Sequence, residues 1–189
     1  MNSPKLTILS VVAFGAVILC SCTPKESADN LTLDPTQIAA EHASTWKEKN
    51  ESGLAALQSS DLAKAETELL AALKEAEACG KEDPRVAVTL MNIASLYEKQ
   101  NYYPKAISHL QSARKIFRKA YGDNSEVVGV SEYHEAQVLT KEKKWSESIP
   151  LFEESLKVLK SHNADSYSDA QKDYEEARKH VVPVKSGAK

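Results

Sequence analysis

Apolar residues first form one block and then disperse into a helical rhythm. Leu6 to Cys20 runs for 15 residues without a charge, and Lys5 stands just before it. A membrane-spanning helix needs roughly 20 apolar residues, so the block has the length of a secretory signal rather than of a span. Thr23 to Leu33 is polar and shows no period, as a tether would. From Pro35 to about His180 the chain is rich in Ala, Leu, Glu and Lys, while Gly and Pro are scarce and sit at breaks. No run alternates β-branched with polar residues, so the region is expected to be wholly helical.

The breaks carry start and stop signals. Asp34-Pro35-Thr36-Gln37 places Asp at an N-cap, Pro at the first helical position and Gln where a capping box needs it. Asp83-Pro84 repeats the first two elements, and Asp61, Ser146 and Ser166 are further caps by side-chain chemistry. Gly80 and Gly122 suit helix ends that need positive φ. These signals predict helices over 36–59, 62–79, 84–100, 104–120, 125–142, 147–161 and 166–181.

Taken in pairs, the helices repeat. In each first helix a small residue recurs at Gly53, Ala94 and Ala136, followed three residues later by Ala56, Tyr97 and Leu139. At the turns stand Leu62, Tyr103 and Trp145. In each second helix come Ala65, Ala106 and Ser148, then Leu69, Leu110 and Phe152, then Ala72, Ala113 and Ser155. Small residues let two helix axes approach, and the larger ones fill the space against the next pair. A single pair cannot bury its apolar face, so pairs stack on a shared core.

This spacing resembles the tetratricopeptide repeat. The step of 41 and then 42 residues is similar to the kinesin-light-chain type rather than the usual 34-residue unit. The middle copy carries the resemblance best, in Val86 to Tyr97 and Tyr103-Pro104-Lys105-Ala106, and Gly122-Asp123-Asn124-Ser125 resembles the loop between repeats. The likeness covers about 46 to 160 and implies an all-α, right-handed solenoid of about three helix pairs, closed by a capping helix at 166–181. Two positions depart from it. Glu132 and Glu135 stand where the second copy has Leu90 and Ile93, and a buried carboxylate is costly unless paired. The third copy is therefore expected to be rotated or more loosely packed.

Leu19-Cys20-Ser21-Cys22 resembles the lipobox of bacterial lipoproteins. That resemblance requires a small residue before the modified cysteine; Ser21 precedes Cys22, whereas Leu19 precedes Cys20. Cleavage before Cys22 and lipid on its thiol are the expectation, with 1–21 as signal, 22–34 as lipidated tether, 35–181 as repeat domain and 182–189 as a disordered tail. Thr23 is not the Asp that resembles an inner-membrane retention signal, so the expected place is the outer membrane, facing the periplasm, in a cell with two membranes. Removing 1–21 takes away one basic residue, Lys5, and no acidic one, so the net charge moves from −3 to −4. No basic excess points to nucleic acid. Cys22 and Cys79 remain, and with Cys22 acylated no disulfide framework is expected.

Candidate chemistry is sparse. The five histidines are dispersed, and His134-Glu135 lacks a second histidine at the spacing of a zinc-binding helix. There is no Gly-rich phosphate loop and no Gly-x-Ser-x-Gly elbow. Neither catalysis, a metal nor a cofactor is expected. The family resemblance implies instead a concave groove lined by first helices. Its partner-binding residues would be Asn50, Leu54, Val88, Met91, Asn92, Ser95, Tyr133, His134 and Gln137, with Glu51, Gln58, Glu98, Lys99 and Lys141 also facing the groove. Lys99 and Lys141 do not make the groove strongly basic, so a clamp for a terminal carboxylate is not expected. The leading reading is a membrane-anchored adaptor or assembly factor of the bacterial cell envelope that holds a partner protein or peptide. The alternatives are a small-ligand-binding or enzyme-like repeat protein with a deep pocket, and a structural spacer whose groove its own tail fills.

Overall fold

The computed structural model describes residues 34–181. The expected signal segment, Cys22 and residues up to 33 lie outside them, as do residues 182–189. Among the described residues there are seven helices and no strand: α1 (Pro35–Gln58), α2 (Leu62–Ala78), α3 (Pro84–Lys99), α4 (Tyr103–Tyr121), α5 (Glu126–Lys141), α6 (Trp145–Ser161) and α7 (Tyr167–His180). Each packs mainly on its neighbours in sequence, so α1–α2, α3–α4 and α5–α6 form three stacked pairs and α7 covers the last.

The small residues at the repeat register do what their size suggests. Ala94 and Ala136 in the first helices, and Ala65, Ala106 and Ser148 in the second, are fully buried. So are Leu69, Leu110 and Phe152 one turn on. At Gly53 the approach is closest: a Cβ there would lie 2.7 Å from Leu69 Cγ. α7 ends the array because it buries only Ala170 and Ala177, while Gln171, Lys172, Glu175, Glu176 and Lys179 face solvent.

The predicted caps form at three starts. Asp34 Oδ1 accepts from Thr36 N at 3.0 Å and Gln37 Oε1 accepts from Asp34 N at 3.3 Å, completing the box. Asp61 accepts from Lys64 N and Asp83 from Arg85 N. Two caps differ from expectation. α6 starts at Trp145, so Ser146 lies inside the helix, and Ser166 stands at the N-cap of α7 without a side-chain cap bond.

The turn inside each pair shows a device that the composition hides. Ser60, Asn101 and Lys143, at equivalent positions, all have φ of 62°. The residue after each one donates backward across six residues: Asp61 N to Ala56 O at 2.9 Å, Tyr102 N to Tyr97 O at 2.8 Å, Lys144 N to Leu139 O at 2.9 Å. This is the helix end that normally takes glycine at the left-handed position. A side chain there costs about 1–2 kcal/mol in conformational strain. Lys143→Gly is therefore expected to raise stability by about 0.5–1 kcal/mol in a denaturant melt, the gain being trimmed by glycine's greater freedom when unfolded. A loss would show that the Lys143 side chain makes a contact that outweighs the strain.

Glu132 and Glu135 overturn the expectation of a rotated or loosened third copy. They are 2% and 3% exposed, in a helix whose Val128, Ala136, Val138 and Leu139 are buried in register. Their partners come from α4. Arg118 Nη2 lies 2.7 Å from Glu132 Oε1 and Arg114 Nη1 lies 3.1 Å from Glu135 Oε2, while Gln111 Nε2 donates to Glu135 Oε1 at 2.9 Å. The two acids keep the helix in place because two arginines one turn apart face them.

Candidate binding groove

The odd-numbered helices reach one another directly through side chains, which puts them on the closer-packed inner side of the stack. Between α1 and α3, Asn92 Nδ2 donates to Asn50 Oδ1 at 2.8 Å, and Trp46 Nε1 donates to Thr89 Oγ1 at 2.9 Å. Between α3 and α5, His134 Nε2 lies 2.9 Å from Glu98 Oε2, and Lys141 pairs with Glu98 Oε1. Between α5 and α7, the Tyr133 hydroxyl and Gln137 Nε2 both donate to Asp173 Oδ2, at 2.8 and 2.9 Å. Polar links at three junctions thus tie the four inner helices into one wall.

Each sequence-predicted residue has a definite place in that wall. Asn92, Ser95 and His134 are half-buried on it, and Met91 sits at its centre, packed against three of the four core clusters. Val88 and Leu54 are half-buried at the edges of the clusters nearest α1 and α2. Asn50 is buried and accepts from Asn92. Tyr133 was expected to present its ring to a partner. It is instead 8% exposed, with its ring 6.1 Å from that of Phe152 and its hydroxyl bonded to α7. Gln137 shares the same aspartate. These two residues hold the cap on the array, and the accessible part of the wall is centred on Met91, Asn92, Ser95 and His134.

Glu98, expected from the sequence to face the groove, is its electrostatic centre. Burial disfavours its charged form, but His134 and then Lys141 outweigh burial and hold its carboxyl at about 2. The tyrosine hydroxyl at 133 is pushed well above its ordinary range, first by burial and then by the bond to Asp173. A carboxyl whose pKa falls on folding stabilises the folded state above its ordinary pKa, and the contribution disappears as pH falls through the folded value. Glu98→Gln is expected to cost up to about 3 kcal/mol at pH 7, and this cost should fade between about pH 4.5 and 2. Paired melts of parent and variant across that range check it; a cost independent of pH would mean that Glu98 acts through packing.

On the opposite side a cleft of about 420 Å³ opens between α4, α5 and α6. No helix among the described residues is long and apolar enough to cross a membrane. No three His, Cys, Asp or Glu side chains converge among them as a metal site would need.

Comparison with known proteins bears on the same helices. Residues 43–119, from α1 to α4, match the tetratricopeptide repeat family. An 80-residue stretch is 31% identical to a clustered mitochondria protein homolog of Candida albicans, covering 42% of this chain. The chain spans 6% of the length of that relative. Tetratricopeptide repeats generally mediate protein–protein interaction.

Proposed function

We propose that this chain is a lipid-anchored adaptor of the bacterial cell envelope that holds a segment of a partner protein along its inner wall. The observation that carries the reading is the wall itself: Met91, Asn92, Ser95 and His134 brought onto one surface from two helices that polar pairs keep at a fixed spacing. Met91 offers an adaptable apolar contact, Asn92 can donate and accept, and His134 borders the buried charge of Glu98. An extended or helical segment laid there could bury an apolar side chain and satisfy its polar groups together. The anchor rests on Lys5, the uncharged block and Ser21-Cys22. Lipid on Cys22 would hold the array about 20 Å off the bilayer on its tether, at an outer membrane in a cell with two.

Three measurements test this. A photo-cross-linking residue in place of Ser95 is expected to trap an envelope protein that the same residue at Lys115, exposed on α4, does not trap. With that protein in hand, Ser95→Arg is expected to weaken binding at least tenfold, or about 1.4 kcal/mol, while the melt shifts little. Equal trapping at both positions would move the interface off the inner wall. Intact mass of the membrane-fraction protein should show loss of residues 1–21 and added lipid; an unlipidated N-terminus would remove the anchor from the proposal.

A further inference from the structure

The cleft between α4 and α6 has a counterpart one repeat earlier, and there the protein fills it. The Tyr97 ring stacks on His109 with centroids 5.4 Å apart and planes within 8°. Tyr102 closes the group at 6.5 Å from Tyr97, and Lys105 Nζ lies 5.1 and 5.3 Å from the two tyrosine rings. Forty-two residues on, the same four positions hold Leu139, Leu151, Lys144 and Glu147. Three rings are lost and the cation on the rim becomes an acid. What remains is an open slot with Ile107, Leu139 and Leu151 as apolar lining and Glu147 at its edge. Lys144 turns to Glu142 at 3.1 Å, and no ion pair forms at Glu147 among the described residues.

The chain leaves α7 beside the start of α6, across that helix from the slot. The His180 ring stacks on Trp145 with centroids 4.1 Å apart. Trp145 is the first residue of α6, next to Lys144 and two before Glu147. The residues that follow Val181 are Val182-Pro183-Val184-Lys185, two aliphatic side chains and then a cation. Proline fixes its own φ and keeps the residue before it extended. Four extended residues reach about 13 Å, slightly more than the diameter of the helix they must pass.

We propose that residues 182–185 of this chain cross the start of α6 and dock at the α4–α6 cleft, with Val184 against Leu139 and Leu151 and Lys185 beside Glu147. The segment takes the place that aromatic rings fill one repeat earlier, and its lysine meets the reversed rim charge. It joins the second and third pairs on the face opposite the inner wall, so the inference is independent of the adaptor reading.

The test uses the full chain in detergent micelles, with amide–solvent exchange read by NMR. The amides of Val182, Val184 and Lys185 are expected to exchange at least tenfold more slowly than in a free peptide of residues 180–189. The Val184 methyls should show Overhauser contacts to Leu139 and Leu151. Leu139→Tyr restores a ring to the slot and is expected to return the exchange to the peptide rate. Val184→Asp, beyond the described helices, should do the same and decides the matter if Leu139→Tyr fails to fold. Peptide-rate exchange in the parent would overturn the proposal, as would slowing that survives Val184→Asp. Slowing that vanishes on dilution would assign the slot to the tail of a second copy and overturn docking within one chain.

Discussion

Arg114→Ala is expected to destabilise the array by about 3–5 kcal/mol, because it strands a carboxylate inside the protein. Glu135 is 3% exposed, and Arg114 is the cation against its Oε2. Without it the acid keeps one neutral donor, Gln111, and at 3% exposed it gains little water in place of the lost cation. The neighbouring acid should respond in the opposite sense. Burial outweighs Arg118 and Arg114 at Glu132 and raises its carboxyl above the ordinary range. Its charged form is therefore unfavourable in the fold. Glu132→Leu, the residue at the matching place in the second repeat, is expected to gain about 1 kcal/mol, since apolar replacements of buried ion pairs often stabilise. Arg118 is 41% exposed and can hydrate once released. The sign with pH follows from the raised value: the gain is largest near neutrality and shrinks as pH falls below the ordinary glutamate range, where the acid is protonated in both states. Denaturant melts of both variants at two pH values check the contrast. Equal losses in both would mean that the two ion pairs act as one unit.

Phe152→Ala is expected to cost about 3–5 kcal/mol, the range for removing a buried ring. Phe152 is fully buried in α6, with the rings of Tyr133 and Tyr174 at 6.1 and 6.3 Å. It therefore joins α5, α6 and α7 in one contact. The damage should appear first in α7, whose fully buried residues are only two alanines and whose Tyr174 ring packs on Phe152. Hydrogen exchange along the chain would show α7 amides opening ahead of the rest. Uniform loosening would mean that the cap is held by the Asp173 bonds rather than by the rings.

Sequence and structure agree where size alone decides. Gly53, Ala94, Ala136, Ala65, Ala106 and Ser148 could be placed at close helix approaches because nothing larger fits there, and Asp34, Asp61 and Asp83 cap because a short acid before a helix has one obvious use. What stayed hidden depends on partners distant in the chain. The burial of Glu132 and Glu135 becomes intelligible only with Arg114 and Arg118, although two arginines four apart and two acids three apart were a readable signal of matched helix faces. Tyr133 has the composition of a binding residue; that α7 covers it depends on where the cap lands. The left-handed turn residues were missed because Ser60, Asn101 and Lys143 are not glycines, and the backbone bond across the turn overrides their preference. For the groove, the helices that form the wall were legible, but the part of it that remains open was not.

The stacking order has a consequence for how the chain acquires its structure. Each helix packs mainly on the one before and the one after it, with side chains reaching one helix further chiefly on the inner side and, on the outer side, at Arg118 and Glu154. Native contacts are thus short in sequence, the condition under which helical chains fold fast. Once two helices have met they offer a surface to the third, and nothing has to wait for the far end. A chain of this kind can fold from its leading end as it emerges from a narrow pore, one helix pair at a time. The polar face of α7 then ends the growth.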